Sequence, residues 1–560
     1  MKKIIFKWSL LIIFPLLIIG CSDFLNEEPL ASSSKENYYR TPYQLQEALN
    51  GVYDILQSNL YNNCEWIFGE ACGDDVLGND EYSANQIAEL VNFRFNTSNT
   101  WILNRYTVNF RGINRANQVI ANVNKVKLSS NDYGNYTRVR EILGQAKFLR
   151  AMFYFNLVKT YGGVPIRPET ETIDNLVIPR STKEEVYAYI EKDLREAAIM
   201  LQPKYTDGNL GKAGRGSVVG LLMKVLMYQA TPGVKSDKWS ELVGLGDYFI
   251  TGKTLTLGEI LKFDENYTED WESLRKRLWF KPADISASTD PVETTNTELG
   301  AIANQYGVEY TGIYGDILNY WEIFTQKGEF YRGSVFEVMF RESADGTTGD
   351  QNEGTGIIQD LYATRMWTSP TLFDVIKNDP RVSQVIARHG TSTPDGERVD
   401  AVENRYVCLK WYTPKRERPL YEDDYAKNRR VMRYSEVLLM YAEGLNEIGR
   451  GADALIQLNK VKTAANKITS SATLYTSGGY GYMRDQIWAE RRLELCHEWD
   501  RFFDIVRQGR SAKIFRAFAS ESATTHKRGQ YFVEGVNEVF PIPQTEIDLS
   551  NGVITQNPGY

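Results

Sequence analysis

The sequence is poor in the residues that most often carry metal or nucleophilic chemistry. It has three histidines, His389, His497 and His526, and five cysteines in 560 residues. No C-x-x-C pair occurs and no H-E-x-x-H, so neither a familiar zinc framework nor a zinc-protease helix is present. No G-x-S-x-G is found, which removes the usual hydrolase elbow. "GDYFITGKT" (Gly246–Thr254) is one residue too long between its glycines for a phosphate loop, whose backbone amides must converge on the phosphates. "SADGTTGDQNEG" (343–354) lacks the spacing of an EF-hand calcium loop. A basic excess is missing too: 64 Lys and Arg stand against 72 Asp and Glu. A mildly acidic surface argues against a nucleic-acid partner, which calls for a basic patch. Carboxylates are plentiful, and "CGDDVLGNDE" offers Asp74, Asp75 and Asp80. A glycosidase pair needs two carboxyls roughly 5–10 Å apart, a distance that sequence does not give. The plainer reading of this stretch is a solvated or turn-capping loop.

Long apolar runs are also lacking. The run from Trp8 to Gly20 is too short to cross a bilayer comfortably, since about 20 residues are needed. With Lys2, Lys3 and Lys7 before it and Gly20 at its end, it suits residues 1–20 as a signal peptide. An uncleaved anchor or a plain signal cut elsewhere is the alternative, and Pro15 argues against a regular anchor helix. "LIIGC" resembles the lipobox of bacterial lipoproteins, with Ile18 where leucine is commonest. That resemblance implies a lipidated Cys21, followed by a polar tether over 21–40. Cleavage there removes three lysines and makes the chain three units more negative than its net −8. Cys64, Cys72, Cys408 and Cys496 remain. Cys64 and Cys72 are read as either a bridge or two semi-buried thiols.

What the sequence has in excess is aromatic: 34 Tyr, 24 Phe and 11 Trp. Most must pack in a core, yet the surplus makes a stacking site plausible. Helix signals run from residue 41 to about 234. Thr41 is an N-cap with Pro42 in the first turn, and Leu45, Leu49, Val52 and Leu56 recur at helical spacing. In "TRVREILGQAKFLRAMFYFNLVKTYGGVP", Ile142, Ala146, Leu149 and Phe153 form one stripe, while Arg140, Glu141, Lys147 and Arg150 occupy other faces. Helices are also predicted near 181–201 and 215–231. A second helical region covers 431–560, with Tyr434, Val437, Leu438, Tyr441, Leu445 and Ile448 on one face and a turn at "GRGAD". Helix–turn–helix pairs of this length resemble tetratricopeptide units, although no clean period aligns. Between them, 235–430 is richer in Gly, Asn, Thr and Pro, with "SVFEVMF" alternating as a short strand. This section and residues 62–100 are predicted to be loop-rich insertions on a helical scaffold, where binding commonly resides.

Several stretches taken in order resemble one family. They are "CSDFLNEEP", "YRTPYQLQEALNGVYDIL", "YTVNFRGINRANQVIANV", "QAKFLRAMFYFNLVKTYGGVPI", "MRYSEVLLMYAEGLNE", "AERRLELCHEWDRFFDIVRQGR" and "FPIPQTEIDLSNGVITQNPGY". The set is similar to the SusD/RagB outer-membrane lipoproteins of Bacteroidetes. The resemblance implies a mostly α-helical single large domain, with tetratricopeptide-like pairs carrying an irregular binding region. It implies a non-enzymatic surface protein without cofactor or metal, fixed by lipid to the outer membrane and facing outwards. Such a protein would sit on a SusC-like TonB-dependent transporter and capture glycans, or in some members peptides. Asp23, Glu27 and Glu28 resemble the acidic export signal of these lipoproteins, and a solvated tether fits them equally.

A sugar presents CH faces and a ring of hydroxyls, so capture calls for flat aromatic platforms with polar side chains at their edges. The family resemblance places such a site in the loop before the "INRAN" helix and in the variable middle. Those regions hold Trp66, Tyr82, Phe93, Phe95, Tyr314, Tyr320, Trp321, Tyr331 and Trp367, with Asp75, Asn79, Asn96 and Arg332 as polar partners. Core packing competes for each ring, and Trp101 is read as core. In "ERRLELCHEWDRFFDIVRQGR", Arg491, Glu494, Glu498, Arg501, Asp504 and Arg507 form a stripe at spacings of three and four. It is read as structural, with pairing between helical neighbours.

Overall fold

The computed structural model describes residues 38–78, 86–128, 133–256, 259–260, 298–299, 302, 319–342, 366–400, 405–419, 425–468, 473–519 and 529–560. The expectations for Cys21 and the leader, and for Asn79, Asp80, Tyr82 and Tyr314, fall outside these residues.

The chain is mostly helical, as the periodicity predicts. Its first half runs through α1 (Pro42–Gln57), α2 (Asn59–Trp66), α3 (Gln86–Val91), α4 (Thr100–Asn122), α5 (Tyr133–Tyr161), α6 (Lys183–Met200), α7 (Arg215–Gln229) and α8 (Asp237–Gly246). Thr41 and Gln44 close a capping box at the start of α1, which buries Leu45, Leu49, Val52 and Leu56. From α4 to α8 each helix packs against the next, the arrangement expected of stacked helical pairs. Short strands follow the helices unevenly: β1 (Val76–Gly78), β2 (Leu255–Thr256), β3 (Glu298–Leu299), β4 (Ser334–Val338), β5 (Met366–Thr368), β6 (Ile386–Arg388), β7 (Tyr406–Cys408) and β8 (Arg429–Arg433). The "SVFEVMF" segment supplies β4, which pairs antiparallel with β8. Two small helices, α9 (Pro370–Ile376) and α10 (Val382–Val385), sit among the strands. The second helical region is α11 (Tyr434–Glu447), α12 (Gly451–Asn466), α13 (Tyr480–Leu495), α14 (Arg501–Arg507), α15 (Ser511–Ala519) and α16 (Gln544–Leu549). Helix α11 packs directly against α8, so the chain leaves the helical stack after α8 and rejoins it at the same place.

All four cysteines described are buried and unbridged, which decides between the two readings of Cys64 and Cys72. The stripe on α5 is buried as predicted. Two of the charged residues assigned to its other faces are buried as well. Asp193 of α6 receives Lys147 at 3.1 Å and Arg150 at 2.7 Å, and Lys147 also meets Glu196 at 2.9 Å.

The charge stripe near the C-terminus differs from its prediction. The single helix expected over 491–507 is broken at 496–500, where His497 and Trp499 have φ of 63° and 69°. That tight turn presses the Trp499 carbonyl onto Gly69, where a Cβ would come within 1.8 Å of the oxygen. Only glycine fits there. With the helix broken, most of these charges pair across the fold. Arg491 meets Asp504 at 3.0 Å and Glu494 meets Arg381 at 2.7 Å and Arg433 at 2.8 Å. Arg501 reaches Asp74 at 2.7 Å. Only Asp504–Arg507 survives as a helical pair, at 2.7 Å.

Burial pushes the Glu494 pKa up, but Arg433, Arg381 and Lys410 outweigh it and bring it down to about 2. An unperturbed glutamate titrates near about 4.3. The stabilisation from Glu494 is therefore complete above that value and drains away as pH falls towards 2. Glu494→Gln is expected to cost about 3–5 kcal/mol at neutral pH, because it leaves buried guanidinium charge under-compensated. Urea unfolding measured from pH 7 to 2 should show a lower midpoint for the variant, with less further loss in the acid range than in the parent.

Candidate functional site

The two loop-rich regions flagged by composition meet in one small sheet. Its strand order is β1-β5-β7-β6, all antiparallel. Val76, Leu77 and Gly78 pair with Thr368, Trp367 and Met366. The chain beyond Gly78 and the chain before Met366 thus depart from the same end of one ladder. Ser369 locks this junction. Its N–H donates to the Asp75 carbonyl at 2.8 Å, and its hydroxyl donates to the Asp74 carbonyl at 2.7 Å. The same hydroxyl accepts from Leu372 N–H at 3.1 Å, capping α9.

Behind the sheet lies a separate apolar cluster of Trp321, Trp367, Ala387, Val399, Val407, Leu409 and Tyr412. The Trp321 and Tyr412 rings stack 6.1 Å apart. On the other face of β7, half-buried Tyr406 stacks on half-buried Phe373 of α9, the rings 4.0 Å apart and tilted by only 14°. The Arg405 guanidinium sits 5.0 Å above the Trp367 ring. The half-buried Phe373–Tyr406 pair is the part of the described surface best matched to a flat ligand with an apolar face.

Most residues nominated from sequence lie in packing rather than on a surface. Asp75 is fully buried, with Arg492 at 2.7 Å. Asp74 is buried between Arg501 and Arg492. Burial alone would raise its pKa, but the two arginines hold it well below the usual carboxylate range. An ionised, enclosed carboxylate cannot serve as the proton donor that glycoside cleavage needs. Tyr320 is buried with its hydroxyl 3.2 Å from Glu494, and Trp321 and Trp367 belong to the cluster behind the sheet. Tyr331 is buried, and the Trp66 indole donates to Asn63. Phe93 sits among Phe502, Phe515 and Phe532, and half-buried Phe95 packs on Phe540 and Tyr560. Trp101 is half-buried against the core. A large ring gains most by burying its apolar area, which is why aromatic composition overstates the ligand surface. Asn96 and Arg332 remain exposed. The Asn96 side chain accepts from Ser98 N–H at 2.9 Å, forming the turn before α4. Phe373, Arg405 and Tyr406 were not nominated. Their partnership depends on two segments meeting in a sheet, for which the sequence offers only the alternation around "RYVCL".

Comparison with known proteins bears on this arrangement. Residues 369–560 match a family model described as the SusD family, and residues 23–226 match one described as starch-binding, associating with outer membrane. Together the matches span about seven-tenths of the chain. SusD-like protein P2 of Formosa agariphila is 23% identical, with 98% of each chain covered. SusD-like protein P38 of the same organism is 23% identical over 88% of this chain and 89% of its own. Among solved structures, a laminarin-binding SusD-like protein superposes with a TM-score of 0.66 at 22% identity, covering 93% of this chain and all of its own. Surface glycan-binding protein A from Bacteroides fluxus gives 0.66 at 18% identity, covering 92% and 99%.

Trp321→Ala empties the middle of the apolar cluster behind the sheet. It is expected to destabilise the protein by about 3–5 kcal/mol, as large core truncations do. Chemical denaturation checks this; an unchanged midpoint would show that the ring is not a packing element.

Proposed function

The chain belongs to the SusD/RagB family, and we propose that it is a lipid-anchored surface protein that captures an oligo- or polysaccharide without cleaving it. The observation that carries this reading is the half-buried Phe373–Tyr406 stack, where β7 and α9 meet beside the sheet that joins the two loop-rich regions. Ring faces suit the CH faces of a sugar, and polar side chains at their edges can bond its hydroxyls. Asn96, Arg332 and, outside the described residues, Asn79, Tyr82 and Tyr314 remain proposed contributors. Net gain per hydroxyl is small, because each bond to protein replaces one to water. Affinity is therefore weak and grows with the number of sugar units engaged.

In this reading Cys21 carries the lipid, the protein faces outwards on the outer membrane, and the captured glycan passes to a SusC-like TonB-dependent transporter. A peptide ligand is the second reading. It is favoured by β1, which among the described residues ends the strand order of the small sheet, the position at which an extended peptide can add.

The test uses the soluble protein beginning at Ser22, run through native gels containing laminarin, starch, xyloglucan or xylan. At least one polysaccharide should retard it, and prolonged incubation should release no shorter products. Tyr406→Ala should weaken retention about tenfold, equivalent to about 1.4 kcal/mol. Retention by none of them, together with binding of a mixed tryptic peptide pool, would replace glycan with peptide. In cells, Cys21→Ala should move the protein out of the membrane fraction while the purified protein keeps its ligand.

A further inference from the structure

An open cleft of about 350 Å³ lies away from the sheet, walled by α4, the segment 167–176 and α16. None of its lining residues belongs to the sheet or to the cluster behind it. Its size is within the range that small-ligand pockets occupy. Phe110, Arg111 and Asn114 reach it from α4, at spacings that put them on one side of the helix. The half-buried Phe110 ring is backed by Tyr106, 4.6 Å away, so its orientation is fixed. The far wall is braced as well, because Arg167 donates to the Leu176 carbonyl at 2.5 Å. Glu171 and Glu546 complete the polar lining.

Three of these polar groups have no work in the fold. Arg111, Asn114 and Glu171 make no hydrogen bond or ion pair with any described residue. All three side chains are exposed and surround the hollow, where a ligand can meet them. Two arginines oppose two glutamates, so charge selects neither an anion nor a cation. What the walls offer is a mixture of donors and acceptors beside one apolar ring face. Hydroxyls, which both donate and accept, match that mixture, and a sugar adds the CH face for Phe110.

We propose that this cleft is a second saccharide subsite, taking a neutral stretch of the glycan whose first contact is at the sheet. The inference rests on the glycan-capture reading and gives that ligand a second point of attachment. Two weak contacts on one polymer raise its retention well beyond either alone, because the second binding event is intramolecular.

Isothermal titration of the soluble protein with laminarihexaose, maltohexaose, xylohexaose and mannohexaose tests it. The wild type should bind one of these at two sites. Arg111→Ala with Asn114→Ala should remove one site, weakening it at least tenfold, while Tyr406→Ala removes the other. Both residues of the pair are outside the core, so the double variant should keep its unfolding midpoint; Phe110→Ala provides a second reading of the same wall. One or two sites unmoved by the double variant would overturn the cleft and leave glycan capture standing. A single site abolished by the double variant would support the cleft and overturn the sheet as the point of capture. Binding of none of the four hexasaccharides, with no retention in the polysaccharide gels, would overturn both.

Discussion

The buried arginine–carboxylate network around the C-terminal helices holds the separate parts of this chain in register. Arg492 and Arg501 grip Asp74 and Asp75 from the first half, and Lys224 of α7 bridges Glu436 and Asp500. Arg381, from the middle of the chain, meets both Glu490 and Glu494 on α13. Burying charge costs desolvation energy, and each cost is offset only while its partners stay in place. Any packing that separates one partner leaves an uncompensated ion behind. The network thus fixes where β1, α9 and α13 stand relative to one another, and the half-buried ring pair between α9 and β7 depends on that arrangement.

Rigidity below and irregularity above is a sensible division for a binding protein. Stacked helices from α4 to α8, continued by α11, form a surface with its apolar faces already satisfied. Short strands and loops can then be held over it by a few backbone bonds, such as those from Ser369 to the Asp74 and Asp75 carbonyls. The acidic residues beside β1, Asp74 and Asp75, are buried and locked to arginine.

Much of the scaffold was legible in the sequence. Periodicity located α1, α5, α7, α11 and α12, and the Thr41 cap marked a helix start to the residue. Motif order pointed to the family. Less legible was everything that depends on distant segments meeting. The 491–507 stripe has the spacing of one helix, but a left-handed turn at His497 and Trp499 breaks it and redirects its charges. That turn needs a glycine at position 69, more than four hundred residues earlier, and local pattern carries no trace of such a dependence. The site suffered most. Tyr320, Trp321 and Trp367 have the composition of a sugar platform and the location of a core, while Phe373 and Tyr406 become partners only once β7 is beside α9.

The contact between α8 and α11 has a consequence for how this kind of protein can diversify. Because the long middle excursion begins and ends at neighbouring points on the stack, its closure cost rises only slowly with length, by about 0.6 kcal/mol for each doubling of a flexible loop. Length changes in its loops cost the helical frame little, provided the segments packed into the core, such as β4 and the stretch around Arg381, are kept. Between those anchored segments the excursion can vary in length and composition while the frame beneath it stays fixed by its packing.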